Sequence, residues 1–239
     1  MTINNPQFST RYSRQTMLPQ FGEEGQQKLA SAKVLLVGVG GLGSPIALYL
    51  AGAGVGQIGL VDPDVVSENN LQRQILYKEN EIGELKVACA KKRLQELNSN
   101  LEVNCYPYRF DKENGEKIAL QYDLIIDGCD NFSTRYLMDD VSFKLNIPYI
   151  YGSIGEFQGQ VSVFNWKNSC RYRDLYPKED SASVDESTIK GVLGAVPGVI
   201  GTLQAIETIK VITGIGESLR NRLLIIDLLT MEISILEIC

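Results

Sequence analysis

The sequence predicts an α/β fold, a Rossmann-like and mainly parallel sheet with helices on both faces, extended by antiparallel strands near the C-terminus. Two observations support this. Apolar runs of strand length alternate with helical segments from Lys33 to Tyr151, and such alternation is typical of parallel strands joined by helices. After Gly152, short segments alternate apolar and polar residues instead, which predicts antiparallel strands with one exposed face.

The elements follow in order. Helices are expected within residues 8–31, in two pieces separated near Pro19. Strands are then predicted over residues 34–37, 58–61, 102–108, 124–127 and 148–151. Helical segments are predicted over residues 44–53, 69–74, 86–98, 115–120 and 131–145. In the third of these, Val87, Ala90, Leu94 and Leu97 recur at helical spacing.

The last third of the chain has a different pattern of apolar and polar residues. Residues 159–164 alternate like a strand, residues 199–212 read as a helix, and residues 223–227 and 231–237 predict a hairpin. Residues 165–190 are polar and rich in serine, so we expect a mobile loop there. We expect one domain over residues 1–239, made of N-terminal helices (1–31), a nucleotide-binding half (32–151) and a second half (152–239).

Composition excludes several classes of protein. The chain has 239 residues, a formal net charge of −6 and scattered lysines and arginines, so nucleic acid is not an expected partner. Met1 to Thr10 is polar, and glycines and charges interrupt the apolar stretches. We therefore expect no membrane segment and a cytoplasmic location.

Histidine is absent, which excludes mechanisms that need a Ser-His, Cys-His or His-metal pair. Phosphoryl and nucleotidyl transfer remain compatible, because they depend mainly on positioning and charge neutralisation. The five cysteines form no C-x-x-C pair. We therefore expect neither a disulfide framework nor a zinc site, and interpret most cysteines as small buried apolar residues.

A glycine-rich turn is the strongest functional signal. It runs from Gly38 through Gly40, Gly41, Leu42 and Gly43, after an apolar strand and before a helix. Free backbone N–H groups and the positive helix end converge in such a turn, which makes a phosphate site. An acid, Asp62, ends the next strand, where a ribose-binding carboxylate is expected. Together these features predict an adenine nucleotide site.

Polar residues elsewhere are candidates for the same site. Asn70 and Arg73 are three residues apart and form either a clamp for phosphate oxygens or a solvated surface turn. Lys86 opens a helix and is either a triphosphate ligand or a surface lysine. Asp130 follows a central strand, where it is either a magnesium ligand or a helix cap, and Asn131 could cap instead.

These residues resemble the ThiF/MoeB/HesA family of E1-like adenylyltransferases, which activate ubiquitin-fold proteins. The resemblance runs in order from Arg11 almost to the C-terminus. It is carried by the segments R11-Y-S-R-Q15, G38-V-G-G-L-G-S44, D62-P-D-V-V66, N70-L-Q-R-Q74, Lys86, D127-G-C-D-N131, and G191-V-L-G194 through G198-V-I-G201.

The resemblance implies a reaction. The enzyme would bind ATP and Mg²⁺ together with the Gly-Gly tail of a small ubiquitin-fold sulfur-carrier protein of the ThiS or MoaD kind. The tail carboxylate would attack the α-phosphate, giving an acyl-adenylate and pyrophosphate.

The family motifs also imply a role for each residue. Gly41 would lie at the phosphates and Asp62 at the ribose, and Asp64 and Asn131 would also bind the nucleotide. Cations and an amide would neutralise phosphate charge, and Asp130 would hold magnesium. In a homodimer, Arg14 would reach the neighbouring subunit's site. The implied charge-neutralising residues are Asn70, Arg73 and Lys86.

The chain also departs from the family. Many relatives bind a structural zinc with two C-x-x-C pairs, but Arg171 and Asp174 stand where the first pair would be, and Cys170 is one residue away. We therefore predict no zinc. Some thiamine-pathway members have a sulfur-handling cysteine where this chain has Ser187.

Three hypotheses follow. The first is adenylation of a sulfur carrier for thiamine (thiazole) synthesis, with molybdopterin synthesis as its alternative. The second is a nicotinamide-dependent oxidoreductase, which would leave Asn70, Arg73 and Asp130 unexplained. The third is an E1-like scaffold without turnover.

Overall fold

A computed structural model describes residues 10–177 and 191–239. Their strands form one eight-stranded sheet in the order β3-β2-β1-β4-β5-β6-β7-β8. Neighbours from β3 to β5 are parallel, and those from β5 to β8 are antiparallel, which confirms the predicted fold class. The strands are β1 (Lys33–Val37), β2 (Gln57–Val61), β3 (Glu102–Tyr106), β4 (Leu124–Asp127), β5 (Tyr149–Gly155), β6 (Gln158–Phe164), β7 (Arg222–Asp227) and β8 (Glu232–Glu237).

Helices cover both faces of this sheet. The α-helices are α1 (Ser13–Thr16), α2 (Gly22–Ser31), α3 (Gly43–Ala53), α4 (Lys86–Leu97), α5 (Gly115–Ala119), α6 (Phe132–Leu145), α7 (Tyr172–Leu175) and α8 (Ala195–Thr213). Short 3₁₀ turns occupy Glu68–Asn70 and Glu79–Glu81. The segment predicted as a helical turn over residues 69–74 is thus a 3₁₀ turn followed by irregular turns.

The central strands are buried on both faces, so their side chains contribute to two separate hydrophobic cores. Along β1, Leu36 packs into one apolar cluster with Ile46 and Leu50 of α3, whereas Leu35 faces the opposite cluster with Met138 of α6. Side chains alternate across a strand, and therefore a continuous apolar run supplies both cores.

Helix α8 lies within the first core and contacts α2, α3, β5 and β6. By length and composition alone it could cross a membrane. The core helices of soluble proteins can share both properties, so this is weak evidence for a membrane span. Its contacts explain the apolar composition as core packing.

The expectation of a mobile loop over residues 165–190 is wrong for residues 165–177. Tyr172 of α7 is fully buried, and its backbone N–H donates to Asp139 of α6 at 2.9 Å. The same buried carboxylate accepts from Arg171 at 2.9 and 3.2 Å. The order of this segment therefore comes from a distant acid, which local composition could not reveal. Residues 178–190, including Ser187, lie outside the described residues.

The cysteine expectation also needs correction, because Cys170 and Cys239 form a disulfide. The pair is 69 residues apart in sequence. Strand β8 carries Cys239 back alongside β7, and Asn221 at the start of β7 accepts from the backbone N–H of Cys170 at 3.0 Å. The pairing of β6 with β7 and of β7 with β8 brings the two sulfurs together, so the spacing of the cysteines did not predict the bond. Cys89 and Cys129 are buried free thiols, as expected.

Two turns at the carboxyl end of the sheet meet backbone to backbone. Gly38 follows β1 with φ of +91°, and a Cβ placed there would overlap the backbone of Gly128, which follows β4. A Cβ on Gly43 would overlap the carbonyl oxygen of Gly38. Glycine at these positions therefore allows the two turns and the start of α3 to share one small volume.

We expect two glycine substitutions in α3 to have opposite effects on stability. Gly43→Ala forces a Cβ against the Gly38 carbonyl and should lower the free energy of unfolding by about 1–3 kcal/mol. Gly52→Ala is the matched control, since a Cβ there meets no atom within 4 Å. It should raise the same free energy by about 0.5–1 kcal/mol through helix propensity. Urea denaturation measures both, and equal effects would contradict the packing described here.

Candidate functional site

A cleft of about 800 Å³ opens at the carboxyl ends of β1, β2 and β4. Open parallel sheets bind ligands at this position, where connections leave the sheet on opposite faces. Most residues predicted for a nucleotide site line this one cleft. They are Gly38, Gly40, Gly41, Leu42, Asp62, Asp64, Arg73, Lys86, Asp130 and Asn131.

The glycine turn presents a row of free backbone donors. In the part of the chain that the structure describes, the N–H groups of Gly40, Gly41, Leu42 and Gly43 donate to no protein acceptor. The preceding Val39 N–H is already bound to Asp62. Helix α3 begins at Gly43, so its positive end points into the same region. This arrangement suits an anionic group such as a phosphate.

Asp62 is a buried acid that fixes the turn. One carboxylate oxygen accepts from the backbone N–H of Val39 at 2.8 Å, and the other accepts from that of Asp64 at 2.9 Å. Burial raises the pKa of the Asp62 carboxyl, while these hydrogen bonds and the charge of Lys86 oppose the shift. Its carboxylate thus connects β2 to the glycine turn and lines the cleft.

Two cations reach the cleft from different segments. The Lys86 side chain is only 6% exposed and donates to Asp64 at 2.9 Å, across the cleft wall. Arg73 is half-buried, donates to the carbonyl of Asn69 at 2.9 Å, and passes close to Gly41. Both cations therefore line the same cleft as the glycine turn, and Arg73 lies against it.

The sequence left open whether Asp130 or Asn131 caps helix α6 and whether Asp130 is a magnesium ligand. Asn131 is the cap of α6, because its side-chain oxygen accepts from the backbone N–H of Thr134 at 2.9 Å. Asp130 is exposed in the cleft, and the polar contact to its carboxylate is a long one, 3.5 Å from the Asn131 amide. Its oxygens are thus available to an outside ligand.

The structure does not bring every predicted residue to the cleft. Arg14 lies on the exposed surface of α1, outside the cleft lining. Asn70 is buried, and its amide donates to the neighbouring Asn69 at 3.0 Å instead of lining the cleft with Arg73. Gly43 contributes its backbone at the start of α3 and does not itself line the cleft.

Sequence reasoning missed a buried ion pair beneath the cleft. Asp127 is fully buried at the end of β4 and accepts from Arg135 at 3.1 Å and from Tyr149 at 2.9 Å. The other oxygen of Asp127 accepts from the backbone N–H of Cys129, and Arg135 donates to the Cys129 carbonyl at 3.1 Å. The pair therefore holds the turn that carries Asp130. The i+8 spacing of an acid and an arginine across a helix start was the available signal.

A second missed residue is Gln74. It is 4% exposed and lies against Gly40, and its buried side-chain oxygen has no hydrogen-bond partner among residues 10–177 and 191–239. It belongs to the polar segment that suggested the phosphate clamp, so the motif contained the residue without indicating its role.

No group of three His, Cys, Asp or Glu side chains within residues 10–177 and 191–239 is placed to hold a metal ion. Where relatives were expected to place cysteines, Arg171 binds Asp139, and Asp174 accepts from the backbone N–H of Arg171 at 2.7 Å. The absence of zinc stays a prediction.

Comparison with known proteins decides the family, because residues 12–238 match the ThiF family. The chain belongs to the ThiF family. It is 45% identical over 226 residues to the sulfur carrier protein adenylyltransferase of Thermus thermophilus, covering 92% of this chain and 83% of that protein. It is equally identical over 225 residues to a probable molybdopterin-synthase adenylyltransferase of Porphyra purpurea, covering 93% of this chain and 59% of the relative.

The chain is also 45% identical over 229 residues to the adenylyltransferase and sulfurtransferase MOCS3-1 of Zea mays. That match covers 95% of this chain and 49% of the relative. This ThiF-family chain thus spans about half to three-fifths of the length of several relatives. Among solved structures, the E. coli MccB + ATP crystal structure superposes with a TM-score of 0.86 at 25% identity, covering 96% of this chain and 71% of that one. PaaA superposes with a TM-score of 0.85 at 23% identity, covering 100% of this chain and 76% of PaaA.

We expect the buried pair under the Asp130 turn to be coupled. Arg135→Met leaves the Asp127 charge buried and should lower the free energy of unfolding by about 3–5 kcal/mol. Adding Asp127→Asn should recover about 1–3 kcal/mol of that loss, because the uncompensated charge is gone. The control is Lys144→Met in the exposed pair with Glu116, which should cost less than about 1 kcal/mol. Strict additivity of the two buried substitutions in urea denaturation would refute the coupling.

Proposed function

We propose that this ThiF-family chain is an ATP-dependent adenylyltransferase, which activates the C-terminal carboxylate of a small ubiquitin-fold sulfur-carrier protein. One observation carries the proposal. Free backbone donors, two cations and an available carboxylate converge in a single cleft at the carboxyl end of the sheet. The names of the similar proteins support the same reaction.

The nucleotide would fit the cleft in one orientation. Phosphate oxygens would accept from the free N–H groups of the glycine turn and pair with Arg73 and Lys86. The carboxylates of Asp62 and Asp64 would accept from the ribose hydroxyls. Lys86 would then leave Asp64, which is 64% exposed and loses little when its partner moves.

Magnesium is compatible with the donor set. Asp130 offers a hard carboxylate whose oxygens are available, and the described residues add no cluster of further ligands. A single carboxylate with substrate phosphates and water is the usual magnesium arrangement. The bound ion would neutralise phosphate charge, and Asp130 is the residue that would hold it.

The reaction needs no general base, because a C-terminal carboxylate is already ionised at neutral pH. Its oxygen would attack the α-phosphorus, and pyrophosphate would leave with the electrons of the broken P–O bond. The carrier tail would enter between the end of β5 and residues 191–192, where Gly155 and Gly191 line the cleft without side chains. The absence of histidine is consistent with this chemistry.

Two sulfur-carrier proteins are candidates for the substrate. The first candidate is the thiamine (thiazole) carrier, and the alternative is the molybdopterin carrier, to which the name of the Porphyra purpurea relative refers. Purified chain incubated with each carrier in turn, ATP and labelled pyrophosphate should return label into ATP with the true substrate only. Exchange with neither carrier, despite ATP binding, would favour the non-catalytic scaffold.

We expect Arg73→Ala to lower pyrophosphate exchange by about 10²-fold, since one charge-assisted contact to a reacting phosphate contributes about 3 kcal/mol. The matched control is Arg93→Ala on α4, which lies outside the cleft lining. Its exchange rate should stay within about twofold of the unmodified chain. A loss of less than about threefold for Arg73→Ala would remove this residue from the site.

We also propose that Arg14 acts across a homodimer, since it is exposed and does not line the cleft of its own chain. Arg14→Ala and Asp130→Ala should each inactivate the enzyme alone. Mixed in equal amounts and allowed to exchange subunits, they should regain about a quarter of the sites, because half the dimers are mixed and each has one intact site. Mixed dimers without activity would place Arg14 elsewhere.

A further inference from the structure

We propose that the Cys170–Cys239 disulfide is a thiol-exchange site, and that the groove beside it receives a small thiol carrying carboxylates, of the glutathione class. This groove of about 570 Å³ includes Cys239 in its wall. It lies at Arg222, where β7 begins. Strand β7 runs parallel to β5, so the groove is at the opposite end of the sheet from the nucleotide cleft.

The two cysteines of the disulfide differ in their exposure to solvent. Cys239 is exposed, whereas Cys170 is 9% exposed and its backbone is held by Asn221 and Asn165. Cys239 also lines the groove and Cys170 does not, so an external thiolate in the groove meets Cys239 first. Selective access to one sulfur is what distinguishes exchangeable disulfides from those sealed within a core.

The groove wall carries an excess of positive charge, although the whole chain has a formal net charge of −6. Its charged side chains are Lys167, Lys210, Arg220, Arg222, Glu217 and Glu237. Lys210 pairs with Glu207, and Arg222 pairs with Glu217. Lys167 stacks on Trp166, and Arg220 donates to the Lys167 carbonyl at 3.0 Å. Within the described ranges, neither of the last two cations pairs with a carboxylate.

Unpaired cations favour an anionic thiol in two ways. They attract its carboxylates, and they stabilise the thiolate that attacks as well as the thiolate that leaves. The groove volume falls within the range of small-molecule sites in proteins. An open groove of this size suits a peptide-sized thiol.

The exchange is balanced by two external thiols. A thiolate attacks the sulfur of Cys239, the Cys170–Cys239 bond breaks, and Cys170 leaves as a thiolate that takes a proton from solvent. A second thiolate attacks the external sulfur of the mixed disulfide, which releases Cys239 as a thiolate and forms the external disulfide. Two thiols are thereby oxidised and one protein disulfide is reduced.

The fold can tolerate breakage of the Cys170–Cys239 bond. Ile238 still donates to the carbonyl of Asn221 at 3.1 Å, and the Asp139 network still holds α7 and Arg171. The three free thiols are poor competitors, because burial raises the pKa of Cys89 to about 11, raises that of the partly buried Cys105, and raises that of Cys129 well above its usual value. Reaction at Cys239 thus needs no unfolding.

The test compares three thiols on the native full chain without denaturant: glutathione, neutral 2-mercaptoethanol and cationic cysteamine. Thiol labelling followed by peptide mapping reports which cysteine is released and which carries the mixed disulfide. We expect glutathione to attach at Cys239. The double substitution Lys167→Ala/Arg220→Ala should slow glutathione about 3–10-fold and leave cysteamine unchanged or faster, an effect that weakens with salt.

The control is Lys91→Ala/Lys92→Ala on α4, which removes the same charge far from the groove and should change none of the rates by more than about twofold. Three outcomes would overturn the proposal: no thiol released under native conditions, a mixed disulfide at Cys170, or equal slowing of glutathione and cysteamine. Neither ATP nor a carrier protein enters the assay, so its result is independent of the adenylyltransferase proposal.

Discussion

The contact between the turns after β1 and β4 is the constraint on which the candidate site depends. Gly38 donates to the carbonyl of Val61, and Gly128 donates to that of Val37, so each turn is bonded to the end of a neighbouring strand. Because neither glycine has a Cβ, the two backbones touch directly. That contact places the phosphate-binding N–H groups and the Asp130 carboxylate in one cleft. Any side chain between them would separate the anion site from the acid.

The buried Asp127–Arg135 pair makes that contact specific. Removing two charges from water is costly, and such a pair adds little stability compared with apolar packing. Here the pair instead satisfies backbone groups of the Asp130 turn, through the N–H and carbonyl of Cys129. Gln204 of α8 also donates to the Asp127 carbonyl at 2.7 Å. The turn is therefore fixed by hydrogen bonds from β4, α6 and α8.

Sequence patterns predicted the features that depend on residues close together in the chain. The strand, glycine turn and helix from Lys33 to Ala53 follow from apolar pattern and backbone freedom, and the structure reproduces them. The disulfide and the ordered segment around Tyr172 depend on partners far away in sequence, and both expectations were wrong. The cleft shows the same division. Gly41 and Asp62 were found from a strand, glycine turn, helix and strand that follow one another in sequence, whereas the contact between Arg135 and Asp127 is established only when β4 and α6 are placed together.

The charges of the cleft explain why a chain without histidine can hold such a site. Arginine stays charged at all physiological pH values, and the backbone N–H groups carry no proton that titrates. Burial disfavours the charged form of Asp62, and hydrogen bonds from Val39 and Asp64 offset part of that cost. The preorganised donors thus need no proton transfer to receive a phosphate. Chemistry built on an ionised nucleophile and a charge-neutralised leaving group matches that set of residues.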